Sequence, residues 1–522
     1  VLTVLRPDLP QWRRIRAESL PRDVVDAAAA ARAAGDWAGA AALARCDVDV
    51  RFDPGRFDAA ALEALQDDLR HLSVDLLWWH LPRHRGGMST LQPMVSAILA
   101  PRAGADLAPL LRVRLPKSPT GPQRLQLTVA TLADIEHERW YVAPRYTWDV
   151  REAAAVRAAW GGSADRMPFL TPDGRPLPPE AFGGGTDAAA ETEQTWRILT
   201  EGDLVGAWRR CGIDVSAVDP EALQRPSGPP TLPVGVADEA RAAAAAFGVG
   251  QVSTLYGASL AVTVHDLTAE AHDVSEYLEI PTRILTGSVP PDLALIAAGH
   301  QRPGDLHPLV RDALFPSSVA AQGAPVPAAP GSPARVRCQG AWHRVEVTGG
   351  ALRLPDHDEE EQLRERMLRT LGGTSSGCYA TQATWTTGKG RLPHALAAQV
   401  RELKHRMQHG DTDWLLDGLD RGVIDPHVRD ANGWSLLHLA MWVDFTRVLP
   451  LLLAAGVPVD ARDHIGRTPL YLAVMNGGPP ELMRRLLAEG ADPRAETVHG
   501  SYPASVARSR QQWQDLAFVA SA

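Results

Sequence analysis

The stretch from Asp430 to Gly490 constrains this 522-residue chain more than any other, because it is written twice. Asp430-Ala-Asn-Gly-Trp-Ser-Leu-Leu-His-Leu-Ala440 returns in register as Asp463-His-Ile-Gly-Arg-Thr-Pro-Leu-Tyr-Leu-Ala473. After each copy comes an apolar run closed by glycine, Val448–Gly456 and then Leu482–Gly490. A period of about 33 residues, coupling a tight turn to two short helices, marks a unit that cannot bury its apolar faces alone. Neighbouring units must therefore stack on it.

The residues inside each copy fit that demand. Gly433 and Gly466 fall at hairpin tips, after Asn432 and Ile465, where a positive φ is cheap only for glycine. Thr468-Pro469 opens a helix: the hydroxyl can cap exposed amides, and proline suits the first turn. The first copy has Ser435-Leu436 there, which keeps a hydroxyl and loses the rigidity of proline. Leu437, Ala440, Leu470 and Ala473 are the small or apolar residues expected between units. Upstream, Leu396–His409, Asp413–Asp420 and Gly422–Pro426 keep the phase. Downstream, Gly500–Ala507 and Trp513–Val519 are decayed versions of the two helices. The period thus predicts an array of about four units over residues 394–522, with degenerate ends.

This pattern resembles the ankyrin repeat family, and Arg467-Thr-Pro-Leu-Tyr-Leu-Ala473 carries the resemblance best. It covers the C-terminal part of the chain alone and implies an all-α solenoid that binds another protein. In that family partners dock on the hairpin tips and the adjoining concave helix surface. The matching positions here are Asn432, Trp434, Trp442, Val443, His464, Ile465, Arg467, Met475 and Asn476. Trp434, Trp442 and Ile465 stand out as large apolar residues with no need inside their own repeat, and aromatic and arginine groups are common binding hot spots. The alternative is that these residues pack against the chain's own N-terminal portion.

Upstream of residue 394 the patterns are mixed, so the fold class is an α+β N-terminal portion followed by the all-α array. Residues 1–215 read as helices at Pro21–Arg45 and Phe57–Leu72, followed by a small antiparallel sheet. In that sheet Leu110–Leu115 and Arg124–Leu132 form a hairpin, and Trp140–Trp148 adds a strand. Gly161–Gly185 reads as a long surface loop, and residues 216–236, with Pro226–Pro230, as a linker. Residues 237–315 read as a helical region, and the uncharged Pro/Ala/Gly stretch 316–334 as a second linker. Residues 335–393 read as a β-meander with a helix.

Composition narrows the function classes. A net charge of −9 over this length argues against nucleic acid or an anionic membrane as partner, since either calls for a basic stripe. Lysine occurs only at Lys117, Lys389 and Lys404, which limits any lysine chemistry to those positions. Cys46, Cys211, Cys338 and Cys378 form no C-x-x-C pair, which fits a reducing compartment and argues against a cysteine-rich zinc site. No apolar run reaches the length of a membrane span. The first residues, Val1–Pro7, lack the regions of a signal peptide, so the expected location is cytoplasmic.

Motifs that suggest chemistry fail on inspection. The glycine-rich run Leu371–Cys378, followed by Gly388-Lys-Gly390, lacks the phosphate-loop pattern, because Ala383 and Gly390 stand where glycine and Ser/Thr are needed. Cys378 would need a histidine or a helix N-terminus to become a nucleophile, and the sequence shows a flexible connector instead. His137-Glu138 lacks a second histidine one turn on. The pair His300 and His307 flanks a Pro-Gly-Asp turn and reads as structural, and Trp78-Trp79 beside Arg83–Gly87 reads as core. No cofactor and no metal is expected, and no residue is assigned to catalysis. Two readings remain. One is a scaffold or adaptor that binds a protein through the repeats. The other is an enzyme of unknown class in residues 1–330, with the repeats recruiting its substrate or docking intramolecularly.

Overall fold

The computed structural model describes residues 8–17, 20–51, 55, 57–84, 89–99, 101, 108–135, 138–223, 232–255, 260–271, 283–285, 289–318, 332–372, 376–510 and 516–521. It divides into two compact units. The first comprises Val1–Pro116 and Arg124–Ala324; the second comprises Lys117–Gln123 and Pro325–Ala522. Residues 224–231 of the first candidate linker and 319–331 of the second lie outside the described residues.

The first unit opens with helices Leu9–Ala17, Arg22–Ala33 and Trp37–Leu43, then Ala59–His71 and Val74–His80. A five-stranded sheet is built from β1 (Cys46–Asp49), β2 (Ser96–Leu99), β3 (Leu110–Arg114), β4 (Leu125–Ala130) and β5 (Trp140–Val142), in the order β1-β4-β3-β2-β5. β3 and β4 pair antiparallel with Leu110 opposite Ala130, the hairpin that the leucine alternation predicts. The sheet as a whole is mixed, which corrects the antiparallel expectation: β1 runs parallel to β4, and β5 parallel to β2. Parallel neighbours need long crossovers, and the connections from β1 to β4 and from β2 to β5 both supply one. Strand β2 is buried along its whole length, so it shows no alternation to read.

Two further expectations are corrected. The stretch 237–315 holds a four-stranded sheet between helices Val236–Phe247 and Pro291–Ala297. Its strands are β6 (Gln251–Leu255), β7 (Leu260–Thr263), β8 (Thr268–Ala271) and β9 (Arg283–Leu285), in the order β8-β7-β6-β9. Apolar runs this short do not separate strand from helix by period. The glycine- and proline-rich segment 161–185 is also not a simple surface loop, since Met167, Phe169, Leu170 and Phe182 are buried in it. Its backbone can leave water because the buried Glu193 carboxylate accepts from Phe169 N (2.7 Å), Gly183 N (2.7 Å) and Arg166 Nη1 (2.6 Å).

Buried carboxylates recur across this unit. Asp292 accepts from Arg16 Nε (2.7 Å) and Nη2 (2.8 Å) and from the indole of Trp79 (3.0 Å). Asp75 accepts from Arg32 Nη1 (2.9 Å) and Ser73 Oγ (2.8 Å), with His307 Nε2 at 3.1 Å. Burial alone would raise the Asp75 carboxyl; its bonds to His307, Arg32 and Ser73 outweigh that and bring it down to about 2. Trp78 and Trp79 are core residues, as expected.

In the second unit β10 (Ala334–Cys338), β11 (Ala341–Thr348) and β12 (Ala351–Arg353) form an antiparallel meander. Helices Glu359–Thr370 and Gly377–Thr387 follow. Four helix pairs complete the described residues of this unit: His394–Gln408 with Thr412–Asp420, Leu436–Trp442 with Phe445–Ala454, Pro469–Asn476 with Pro480–Ala488, and Pro503–Arg510 with Ala517–Ala520. The copy that keeps Thr468-Pro469 starts an α-helix capped by Thr468 Oγ1, whereas the Ser435-Leu436 copy winds as a 3-10 helix.

Candidate functional site

Each hairpin tip is organised by the residue that opens it. Asp430 Oδ1 accepts from the amides of Asn432 (2.8 Å) and Trp434 (2.9 Å). Asp463 Oδ1 repeats this with Ile465 (3.0 Å) and Arg467 (2.8 Å). The backbone closes the turns through Asp430 N to Trp434 O (3.0 Å), Asp463 N to Arg467 O (3.0 Å) and Thr497 N to Ser501 O (2.8 Å). Gly433 is required twice over: its φ is +83°, and a Cβ there would lie 2.6 Å from the His464 ring.

The tips are also tied to one another. His464 N donates to Asn432 O (3.1 Å), and Val498 N to Ile465 O (2.9 Å). Arg429 Nη1 reaches Arg462 O (2.7 Å), and Arg462 Nη1 reaches Glu496 O (2.7 Å). Beneath them the buried His438 accepts at Nδ1 from Ser435 N (3.0 Å) and donates from Nε2 to Arg467 O (3.0 Å). That pattern fixes the neutral tautomer with its proton on Nε2. Burial pushes the His438 pKa down to about 4. One unit on, Tyr471 occupies the equivalent place and bonds Ser501 Oγ at 3.0 Å.

The nine candidate contact residues separate by exposure. Asn432 and His464 are exposed, while Ile465, Arg467 and Met475 are half-buried. Trp434, Trp442, Val443 and Asn476 are buried, which corrects their reading as open contact groups. Trp434 does have a need within the array. Its indole donates to Asp463 Oδ2 (3.1 Å), Lys404 Nζ lies 4.4 Å from its ring centroid, and Trp442 packs edge-on at 6.3 Å. Trp442 donates to Thr120 O (3.0 Å), Thr120 Oγ1 donates to Asn476 Oδ1 (2.8 Å), and Gln408 Nε2 donates to Pro119 O (3.2 Å). The segment Lys117–Gln123 of the second unit therefore covers the helix surface at Trp442 and Asn476. Sequence reasoning missed Val498, 68% exposed at the third tip. The period alone could have found it, because Val498 stands where Ile465 stands one unit earlier.

The remaining candidates settle in structural places. His307 lies buried against Asp75, whereas His300 is exposed on the turn after its helix. Glu138 binds Arg112, Arg114 and Ser96; His137 lies outside the described residues. Cys378 sits in the first turn of helix Gly377–Thr387, where a connector was expected, and burial together with Cys338 pushes its thiol up to about 12.

The first unit contains a cavity of about 900 Å³, lined among others by Arg145, Tyr146, Glu191, Arg210 and Glu239. Tyr146 donates its hydroxyl to Glu239 Oε1 at 2.8 Å. Burial raises both groups, Glu239 to about 7 and Tyr146 well above the ordinary phenol value. A carboxyl that titrates near neutrality at a cavity wall can take up or release a proton there.

Helix pairs joined by hairpin tips, with tip bonded to tip, define a repeat array that presents a surface for other proteins. Residues 406–497 match the family model for ankyrin repeats in three copies, and this part of the chain is an ankyrin-repeat region. B-cell lymphoma 3 protein homolog of Mus musculus is 36% identical over 88 residues, 17% of this chain and 19% of its own length. B-cell lymphoma 3 protein of Homo sapiens is 34% identical over 130 residues, 19% of this chain and 29% of its own. An ankyrin repeat-containing protein of Schizosaccharomyces pombe is 29% identical over 108 residues, 21% of this chain and 50% of its own. The chain thus spans half or less of the length of these relatives. Among the described residues, no helix is long and apolar enough to cross a membrane.

Proposed function

We propose that this protein is a cytoplasmic scaffold or adaptor whose ankyrin repeats stack as a solenoid and hold another protein along the hairpin tips. The observation that carries this reading is the tip row itself. Its backbone is locked by hydrogen bonds from unit to unit, while Asn432, His464 and Val498 present exposed side chains, with Ile465 and Arg467 beside them. A row fixed before binding loses little conformational entropy on association, the condition under which modest side-chain contacts give affinity. Trp434 supports the row through its indole bond to Asp463 Oδ2. The helix face at Trp442 and Asn476 is held by the chain's own Lys117–Gln123, so in this reading the partner uses the tips and Met475 rather than that face. Nucleic acid and membrane surfaces are not the partners that a net charge of −9 favours.

The test is recovery of bound protein by the tagged full chain against Ile465→Asp combined with Val498→Asp. Recovery should fall at least about tenfold, the equivalent of about 1.4 kcal/mol, with an unchanged circular dichroism spectrum. Equal recovery by a folded variant removes the tips from the interface.

The cavity supports a second reading, in which the first unit binds or transforms a small molecule, with Glu239 exchanging the proton and Tyr146 holding the carboxyl. A thermal-shift screen of small metabolites on the full chain tests it. Hits that stabilise the wild type and are lost in Glu239→Gln support this reading, and a screen without such hits counts against it.

A further inference from the structure

We propose that Cys338, His343, His357 and Cys378 form a closed, four-ligand structural zinc site in the second unit. Each offers one ligand atom, and these four atoms lie within 4.8 Å of one another. A tetrahedral zinc ion with bonds of about 2.0–2.3 Å fits between donors brought this close.

Separate elements bring the four ligands together. Cys338 ends β10 opposite Ala341, and His343, two residues along β11, shares that face of the hairpin. His357 follows β12 in a turn closed by its own amide on Leu354 O (3.1 Å). Cys378 comes from the first turn of helix Gly377–Thr387. Cys338, His357 and Cys378 are buried and His343 is half-buried, a set that is shielded from water on most sides.

Three further observations point inward. Gly377 has φ +55°, and a Cβ there would fall 2.5 Å from Cys338 Sγ, so glycine is what lets the helix start approach the first cysteine. His343 Nδ1 and His357 Nε2 are 2.8 Å apart, turned towards each other. His357 carries its other ring nitrogen, Nδ1, 3.2 Å from Glu361 Oε2 and 3.2 Å from the Tyr379 hydroxyl. A carboxylate on the outer nitrogen fixes the proton there and leaves Nε2 bare, the arrangement that orients metal-binding histidines.

Charge selects the ion. Two thiolates and two neutral imidazoles neutralise a divalent cation, so the filled site carries no net charge into the core. Two sulfurs and two nitrogens in a tetrahedral set suit zinc, and four protein ligands leave no position open for catalysis. Binding releases one proton from each thiol and changes no oxidation state. The gain falls on the meander, whose third strand spans only Ala351–Arg353. The site joins both ends of the meander to the helix Gly377–Thr387.

The test uses the full chain, expressed with zinc in the medium and purified without chelator under reducing conditions. Elemental analysis should find about one zinc per chain, falling below about 0.1 in Cys338→Ala and His357→Ala and unchanged in Cys46→Ala and Cys211→Ala. Cobalt(II) exchanged into the wild type should give the intense visible bands of a tetrahedral ion, with thiolate-to-metal charge transfer. That readout does not depend on any variant folding. His343→Cys should keep the metal and strengthen the charge-transfer band. Wild-type protein without zinc, an octahedral cobalt spectrum, or a Cys338–Cys378 disulfide in freshly isolated protein each overturns the proposal.

Discussion

Two buried carboxylates of the repeats and two of the first unit find their partners over very different sequence distances. In the repeats, Asp430 and Asp463 are paired by amides two and four residues further along the chain. In the first unit, Asp292 is paired by Arg16, 276 positions away, and Asp75 by His307, 232 positions away. A local partner is bound almost as soon as the turn forms. A distant one arrives only when most of the unit is already assembled, since the entropy of closing the intervening loop must be met first.

The two kinds of carboxylate should therefore fail differently. The largest effect is expected for Asp292→Ala, which removes the buried carboxylate that accepts from Arg16 Nε and Nη2 and from the Trp79 indole. Denaturant unfolding of the first unit should show a loss of about 3–5 kcal/mol. A loss below about 1 kcal/mol would place the pair among exposed bridges instead.

Acidification should separate the His438 site from the Asp75 pair next. His438 has a folded pKa of about 4 against an ordinary 6.5, so the unfolded chain takes up the proton first. Stability of the repeats is full above the unfolded value and falls as pH drops towards the folded one, by about 3 kcal/mol. Asp75, at about 2 against an ordinary 3.8, contributes stability that is present above 3.8 and lost as pH falls through its folded value. Acid unfolding should therefore weaken the repeats before this pair in the first unit, and His438→Gln should flatten the first phase in a pH series of denaturant midpoints.

Smaller effects probe the tips. Asp430→Ala removes two amide bonds and the partner of Lys404 Nζ; equilibrium unfolding should register about 1–2 kcal/mol. Smallest of all, Val498→Asp should change stability by less than about 0.5 kcal/mol while still weakening partner recovery. A large loss of stability there would mean that Val498 supports the array rather than facing a partner.

The same contrast explains what the sequence reveals. The tips are legible because aspartate, glycine and their capped amides fall within five residues and recur with the period. The helix pair ends and the β3–β4 hairpin are legible for the same reason. Strand β1 beside β4 is not, because a parallel neighbour leaves no turn to read. Nor is the burial of Phe169 and Leu170, which depends on Glu193 rather than on their neighbours. The cluster of Cys338, His343, His357 and Cys378 escapes by a similar route: its ligands come in single residues from separate elements, without the paired spacing that marks most zinc motifs. Of the candidate surface, the positions were legible from the period, and their exposure was not. Trp442 could be placed on a helix, but only the fold shows Thr120 lying across it.

That last contact bears on how the protein is made. Trp442 and Thr120 are separated by 322 positions, so Lys117–Gln123 leaves the ribosome long before the helices it will cover exist. Throughout that interval its carbonyls belong to the solvent. A fragment beginning at Pro325 would never receive them, and its Trp442 indole would have to find another acceptor. The second unit is thus a discontinuous product of the chain, finished only when an early piece and a late piece have both been synthesised.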